Sequence, residues 1–232
     1  MKLKRSTDRK VGNSFTAGGN VRIKNTFGLP AGREYSCPAA TSICTRICYA
    51  GKLEKLYPGV KENLMHNWEL LKDKSHDEME ELLMAMIEEF KAECVKWDAP
   101  MKFRIHWDGD FFNSEYAFAW KHVILNNPDV HFWVYTRVES AAYMLKGMDN
   151  LALYFSGDSE NFEAAARLKE HGILIASLAD TFDKARGALK LIGERSAVCP
   201  EQRKQIPLDG ACIACGICVE GKTNISFSIS KK

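Results

Sequence analysis

Residues 101–137 read MKFRIHWDGDFFNSEYAFAWKHVILNNPDVHFWVYTR and contain the strand–helix–strand pattern that decides the fold. The segments 103–107 and 130–135 are short and rich in aromatic and β-branched residues, which is typical of buried strands. Between them, residues 114–125 repeat apolar side chains at helical spacing, and Asn127-Pro128 ends that helix. This order predicts parallel strands joined by right-handed crossovers.

The same alternation continues on both sides of this unit. A long helix is predicted where Ser75 and Glu78 form a capping box ahead of an apolar stripe that ends at Cys94, which we interpret as a buried core thiol. Five or six strand–helix units favour an α/β domain built as a partial or complete (β/α) barrel. The remaining strands are predicted at 21–27, 151–155 and 173–178, and the remaining helices at 62–71, 139–146, 161–171 and 182–192.

Composition limits the kinds of protein this chain can be. With 232 residues, 46% hydrophobic and 27% charged, it can bury the core of one domain. The net charge of +2 gives no electrostatic reason to expect nucleic acid or a membrane as partner. A basic start, Lys2, Lys4, Arg5, Arg9 and Lys10, favours a solvated terminus over a phosphate-contacting arm. The sequence leaves the oligomeric state open.

The sequence also predicts a location and a domain layout. It contains no run near the ~18 apolar residues of a membrane helix and no secretory signal, so we expect a cytoplasmic protein. In that reducing compartment, eight cysteines are expected to bind metal or do chemistry rather than form disulfides. The layout is a loosely held N-terminus (1–20), a barrel-like domain (21–198) with a cysteine loop (28–48), and a cysteine-rich C-terminal segment (199–232) packed on the same domain.

The C-terminal cysteines are the strongest chemical signal. Cys212, Cys215 and Cys218 are spaced like the first three ligands of a bacterial ferredoxin run, and Cys199 is followed by a proline, like the remote ligand of that run. Structural zinc more often takes two separated pairs of ligands, so three close cysteines favour a [4Fe-4S] cluster over zinc.

A second group, Cys37, Cys44 and Cys48, lies in the predicted loop with C-x6-C-x3-C spacing. Three thiolates leave one metal position unfilled. For zinc, that is the arrangement of a catalytic site with a bound water. For a four-iron cluster, it leaves one iron open to a small molecule, so two clusters are expected in all.

Polar residues follow the predicted strands, where the loops of parallel α/β folds build active sites. Asp108 and Asp110 follow one strand, Thr136-Arg137 the next and Ser156 to Asp158 the third. Asp180 and Ser159 are interpreted as helix N-caps, as the same loops require. His106 is expected on the same side of its strand as Arg104 and Asp108, either as a hydrogen-bonded structural residue or as a catalytic one.

Several blocks resemble the phage gene product 88 family. They are CPAATSICTRICYA (37–50), RIHWDGDFF (104–112), FWVYTR (132–137), and the C-terminal CPEQ (199–202) with its cysteine run. The resemblance extends from about residue 20 to the C-terminus. It implies a barrel-like fold similar to the radical S-adenosylmethionine (SAM) core, an iron–sulfur cofactor, and a phage or prophage origin, hence the cytoplasm of an infected host cell.

Three functional hypotheses follow from these patterns. The first is a radical-SAM-like enzyme of unknown substrate, in which the N-terminal cluster binds SAM and the C-terminal cluster relays electrons from a donor. The second is an enzyme whose open iron acts as a Lewis acid. The third is a structural or redox-sensing protein. Radical SAM enzymes typically use C-x3-C-x2-C, so the C-x6-C-x3-C spacing counts against SAM.

Candidate residues for these functions fall into two sets. The candidate catalytic residues are His106, Asp108, Asp110 and Arg137. The candidate binding residues for a cofactor or small ligand at the open iron are Asp108, Asp110, Thr136, Ser156 and Asp158. The Asp108-Gly-Asp110 loop occupies a place comparable to the radical SAM motif that holds the methionine amino group, and its carboxylates suit a cationic amine.

Overall fold

The computed structural model describes residues 1–6, 10–11 and 21–230. In this part of the chain, seven strands form one parallel sheet in the order β1-β2-β3-β4-β5-β7-β6. The strands are β1 (Thr26–Gly28), β2 (Lys102–Asp108), β3 (His131–Thr136), β4 (Leu151–Gly157), β5 (Leu174–Ala179), β6 (Ser196–Val198) and β7 (Asn224–Ser228). The predicted α/β fold with parallel strands is therefore confirmed.

The helices of the described residues connect these strands or precede them. They are α1 (Ser42–Ile47), α2 (Tyr49–Leu56), α3 (Pro58–Leu71), α4 (His76–Lys96), α5 (Ser114–Leu125), α6 (Glu139–Leu145), α7 (Phe162–Lys169), α8 (Phe182–Leu191) and α9 (Ala211–Cys215). The capping box of Ser75 and Glu78 is present at the start of α4, and Cys94 is buried on that helix. Both features confirm the sequence prediction.

The sheet is open, because β1 and β6 form its two edges among the described residues. A complete barrel was one of the two predicted forms, and it is wrong. The physical reason lies at the C-terminus, where β7 inserts between β5 and β6 rather than extending the series toward β1. None of the described helices is both long and apolar enough to cross a membrane.

The two faces of the sheet bury different partners. Strands that follow one another with crossovers of the same hand place their helices on the same face. That face forms the larger core, which includes Phe103, Phe132, Phe155, Phe90 and Trp120. On the opposite face the C-terminal segment, which includes the short helix α9, packs against the sheet; the residues packed there include Trp133, Tyr154, Ile225, Ile213 and Val219.

A register irregularity between β1 and β2 changes the side on which His106 lies. Thr26 is paired with Arg104 and Gly28 with Asp108, so two residues of β1 span four of β2. Such a bulge breaks the strict alternation of side chains. The predicted placement of His106 beside Arg104 is therefore wrong: the imidazole packs among core aromatics on the helix side, while Arg104 lies over the ring of Tyr135.

The predicted helix caps also differ in position. Thr181, not Asp180, is the N-cap of α8, and its hydroxyl accepts a hydrogen bond from the Lys184 N–H. Asn161, not Ser159, is the N-cap of α7. In both loops the helix begins later than the first polar residue after the strand, so the earlier residue cannot cap it.

Much of the predicted N-terminal segment, residues 1–20, lies outside the described residues. Within the described part, Leu3, Ser6 and Val11 are buried. Arg5 pairs with Glu93 at 2.7 Å, and Lys10 pairs with Glu201 at 2.9 Å. These two cations of the basic start are therefore bound to the protein's own carboxylates.

Candidate functional site

Three cysteines enter the site from a loop and two short helices. Cys37 lies in the loop after β1, Cys44 in α1, and Cys48 between α1 and α2; all three are half-buried. Thr41 caps α1 by accepting the Cys44 N–H at 3.0 Å. The Cys48 sulfur caps α2 by accepting the Gly51 N–H at 3.3 Å. A thiolate at a helix N-terminus is stabilised by the backbone donors there.

The polar residues after β2, β3 and β4 hold one another at the carboxyl edge of the sheet. Asp110 is buried, and its carboxylate accepts hydrogen bonds from the Thr136 hydroxyl (2.6 Å), the Arg137 N–H (2.8 Å) and the Phe111 N–H (2.8 Å). Burial raises the pKa of Asp110 to about 6, although these donors oppose the rise. Asp110 and Thr136 thus join the loop after β2 to the end of β3.

Asp158 and Arg137 connect the cysteine loop to this edge of the sheet through hydrogen bonds. The Asp158 carboxylate accepts hydrogen bonds from Arg137 Nη1 and from the Thr41 hydroxyl, each at 2.7 Å. The ion pair is buried, with both side chains almost wholly out of solvent. Because Thr41 also caps α1, the position of Cys44 depends directly on Asp158. Arg137, a candidate catalytic residue from the sequence, is thus paired with a carboxylate of the protein itself.

The three thiols lie within electrostatic reach of these polar groups. Burial raises the pKa of Cys37 to about 12, and the charges of Asp110 and Asp108 add to the rise. Burial also raises the pKa of Cys44. The Arg137 guanidinium opposes this rise through its charge and a hydrogen bond. The site therefore joins the cysteine loop to the residues that the sequence singled out after β2 and β3.

A carboxyl pair at this site was missed by the sequence analysis. Asp108 is buried, and Glu54 on α2 lies close to it; burial, and then the Glu54 charge, raise the pKa of Asp108 to about 8. Glu54 Oε1 in turn accepts the Ala31 N–H at 2.9 Å. Because α2 was not predicted, Glu54 gave no sign in the sequence of lying near Asp108.

Two of the predicted site residues lie apart from this arrangement. His106 Nε2 hydrogen-bonds the Tyr116 hydroxyl at 3.0 Å, and its ring is 4.9 Å from that of Phe111. Burial, and then the charge of Arg104, lower its pKa to about 3, so the imidazole is neutral at physiological pH. Ser156 uses its backbone carbonyl to accept a hydrogen bond from Asn161 Nδ2 at 3.0 Å.

The C-terminal cysteines form a second site on the face of the sheet that the C-terminal segment covers. Cys199 follows β6, Cys212 and Cys215 lie in α9, and Cys218 follows that helix. Cys199, Cys212 and Cys218 pack against the apolar residues of that face. Burial raises the pKa of Cys218 to about 11, and the charges of Cys199 and Cys215 add to the rise. Cys199 and Cys215 therefore lie near Cys218, and Cys212 packs on the same face of the sheet.

The donor sets can be tested against the metals considered. All eight cysteines are free thiols, and no three His, Cys, Asp or Glu residues of the described chain converge closely enough to hold a single metal ion. Zinc would need its sulfurs drawn to ~2.3 Å from one centre. A four-iron cluster binds each cysteine to a different iron, so its ligands lie farther apart. Thiol donors of this kind, with an N–H donor at Cys48, are used by both iron–sulfur clusters and zinc sites.

Comparisons with known proteins place the chain in a family. The family model for Gene product 88 matches residues 1–221, so the chain belongs to that family. The Gene 88 protein of Mycobacterium phage L5 is 48% identical over 241 residues, covering 100% of this chain and 99% of that protein. The Gene 88 protein of Mycobacterium phage D29 is 45% identical over 241 residues, covering 99% of each. No solved structure matches.

Proposed function

We propose that this member of the Gene product 88 family is an iron–sulfur enzyme that holds two four-iron clusters. Cys37, Cys44 and Cys48 hold the first, and Cys199, Cys212, Cys215 and Cys218 hold the second. One observation carries the proposal: the three-thiol loop lies at the carboxyl edge of the parallel sheet, within electrostatic reach of Asp108, Asp110 and Arg137. That edge is where parallel α/β folds bind their ligands.

The first cluster has one iron that no cysteine of its loop binds. Such a cluster, when present, supplies an open coordination position and can pass one electron. The second group of four cysteines suits a closed cluster that relays electrons from a donor. The family includes a phage protein, which agrees with the expected phage or prophage origin of this chain.

The carboxyl pair suggests which ligand the first site takes. Asp108 is buried, and burial, followed by the charge of Glu54, raises the pKa of Asp108 to about 8, so this carboxyl group holds a proton near pH 7. An ammonium group can replace that proton and leave both carboxylates ionised, with charge-assisted hydrogen bonds of ~1.5–3 kcal/mol each. A ligand with an amine and a carboxylate, placed between the pair and the open iron, fits this chemistry.

SAM is the first such ligand to test, and another amino-acid-like molecule is the alternative. With SAM the protein would be a radical-SAM-like enzyme. With another ligand, the open iron would serve as a Lewis acid and Asp108 would contact the substrate. A structural or redox-sensing role is favoured by a separate observation: Asp110, Arg137 and Asp158 are already engaged with one another.

The experiment adds SAM at millimolar concentration to reduced, anaerobically prepared protein. We expect the electron paramagnetic resonance (EPR) signal of the N-terminal cluster to change. In Asp108→Asn or Glu54→Gln, the SAM concentration that gives half of this change should rise about tenfold or more, because each variant loses ~1.5–3 kcal/mol of binding free energy. Asp180→Asn is the control, because this carboxylate is exposed and pairs with Lys184. An unchanged wild-type signal would eliminate the radical SAM mechanism.

A further inference from the structure

A cavity of about 880 Å³ lies between the N-terminal segment and the helices α2 and α3. All eight cysteines are described, and none of them lines this cavity. Its volume falls within the range of small-molecule sites, about 300–1,000 Å³. The cavity is therefore large enough for a ligand and is distinct from both cysteine groups.

Helix α3 fixes the N-terminal wall of this cavity. The side chain of Asn67, which is buried, accepts a hydrogen bond from the Lys4 N–H at 2.8 Å and donates one to the Lys4 carbonyl oxygen at 2.9 Å. The Ser6 N–H donates to the Thr26 carbonyl oxygen at 2.7 Å, and Leu3 is buried. The backbone from which the Lys4 side chain extends is therefore held in place.

Five cationic side chains line the cavity, and three of them are paired within the protein. They are Lys2, Arg5 and Lys10, which pair with Glu89, Glu93 and Glu201 at 2.7–2.9 Å, together with Lys4 and Lys24. Among the described residues, neither the Lys4 nor the Lys24 ammonium group has an ion-pair or hydrogen-bond partner. Two such groups at one cavity attract an anion, and a phosphate group can accept a charge-assisted hydrogen bond from each.

Aromatic side chains form another part of the lining. Tyr49, Tyr57 and Trp107 line the cavity, and the two tyrosines are 47% and 56% exposed. The Tyr49 hydroxyl donates to the Trp107 carbonyl oxygen at 3.1 Å, and Trp107 packs with Leu53 and Val60 in a small apolar cluster. Exposed aromatic rings beside lysines are the combination with which proteins stack a nucleobase and bind its phosphate.

One lining carboxylate bears on the kind of anion. Glu62 lies on α3 and is exposed, and within the described part of the chain its carboxylate has no partner. An acidic peptide or a fatty acid would find this negative charge repulsive and would gain nothing from it. A ribose, by contrast, donates hydrogen bonds from its hydroxyl groups to such a carboxylate, as in dinucleotide sites.

We propose that this cavity is a nucleotide-binding site. The phosphate lies at Lys4 and Lys24, and the base packs against Tyr57. The ribose hydroxyls donate to Glu62. The inference goes beyond the proposed function and does not depend on it, because no cluster is needed for this binding.

The test is isothermal titration calorimetry of the full-length, anaerobically prepared protein with AMP, GMP, CMP and UMP. We expect at least one of them to bind. Its nucleoside and ribose 5-phosphate should each bind at least about tenfold more weakly, because each lacks one of the two groups that the site contacts. If none of the four binds, or if ribose 5-phosphate binds as tightly as the nucleotide, the inference is wrong.

Substitutions of the two lysines test where the phosphate lies. Lys4→Gln and Lys24→Gln should each weaken nucleotide binding about tenfold, as the loss of a charge-assisted hydrogen bond implies, and leave the affinity for the nucleoside unchanged. A merely unfolded variant would lose both. Lys190→Gln is the matched control, because Lys190 is exposed on α8 and outside the lining. Lysine variants that bind the nucleotide as tightly as Lys190→Gln would overturn the site.

Substitutions of Tyr57 test the contact with the base. Tyr57→Leu removes the ring and should weaken nucleotide binding about tenfold, whereas Tyr57→Phe keeps the ring and should bind like the wild type. The side chain is more than half exposed, so neither change disturbs the core. Equal affinities in these two variants would show that the base does not stack on Tyr57 and would overturn the proposed arrangement.

Discussion

Gly109 packs closely against the cysteine loop at the carboxyl edge of the sheet. Its φ is +83°, and an added Cβ would lie 2.5 Å from the Ser36 hydroxyl and 2.9 Å from the Leu29 carbonyl oxygen. We expect Gly109→Ala to lower the free energy of unfolding by ~2–4 kcal/mol, because left-handed strain costs ~1–2 kcal/mol and overpacking adds ~1–3 kcal/mol. Denaturant titration measures this change in the free energy of unfolding.

Gly147 provides the control for this prediction. Its φ is +75°, but an added Cβ would meet no atom within 4 Å among the described residues. Gly147→Ala should therefore cost only the strain of the left-handed backbone, ~1–2 kcal/mol. If the two variants lost the same free energy of unfolding, the close packing of Gly109 against the cysteine loop would not contribute to stability.

His106 makes the stability of the fold depend on pH. Its pKa is about 3 in the folded protein, because of burial and then Arg104, against ~6.5 when unfolded. Between these values the unfolded chain binds a proton that the folded protein does not. Stability is thus fully present above the unfolded pKa and falls as the pH falls, by up to ~1.4 kcal/mol per pH unit.

The measurement compares urea unfolding at pH 7 and pH 5 for the wild type, His106→Gln and His171→Gln. We expect His106→Gln to lose less stability on acidification than the wild type, whatever its stability at pH 7. His171 is exposed, so its variant should keep the wild-type dependence. The same pH dependence in His106→Gln and the wild type would show that this imidazole is accessible to protons in the folded state.

At the scale of elements, long periodic segments were predictable and short ones were not. The predicted helix at 114–125 has the bounds of α5, because its apolar repeat spans three turns. The short helices α1 and α2, six and eight residues long, carry the cysteines and show no comparable apolar repeat. Strand β6 has three residues and β7 lies in a polar tail, so their pairing is set by distant partners that local pattern cannot reveal.

The parts of the candidate site that could be predicted are those indicated by residue type and spacing alone. Both cysteine groups and the acidic residues after β2 follow from spacing and from their place after a strand. Glu54 could not be found because its role depends on α2 packing beside Asp108. The side occupied by His106 could not be found either, because it depends on the irregular pairing of β1 with β2.

The two cysteine-bearing segments should lose metal independently. Cys44→Ser should remove about half of the iron, one four-iron cluster of two, and leave the C-terminal group loaded. Cys215→Ser should remove the other half and destabilise the C-terminal segment, because metal binding also supplies folding energy there. Iron and acid-labile sulfide counts on each variant measure this.

Cys94→Ala is the control for these substitutions. Cys94 is buried on α4 in the larger core, away from both groups, so its removal should leave the iron content unchanged. If either Cys44→Ser or Cys215→Ser emptied both sites, the cysteines would share one cluster and the division into two sites would be wrong.

On the scale of the whole molecule, one open parallel sheet keeps the two cysteine groups apart. Helices cover one face, and the C-terminal segment with its four cysteines covers the other. The N-terminal cysteines lie at the carboxyl edge, held by Asp158 and Thr41. Arg104 of β2 lies over the ring of Tyr135 of β3, with 5.5 Å between the Arg104 Cζ and the ring centroid.

The metal content of the anaerobically prepared wild-type chain tests this account most directly. Two four-iron clusters predict brown protein with roughly eight irons and eight acid-labile sulfides per chain. Zinc in stoichiometric amount without acid-labile sulfide would contradict the central claim, and the cysteines would then have to be reinterpreted as zinc ligands.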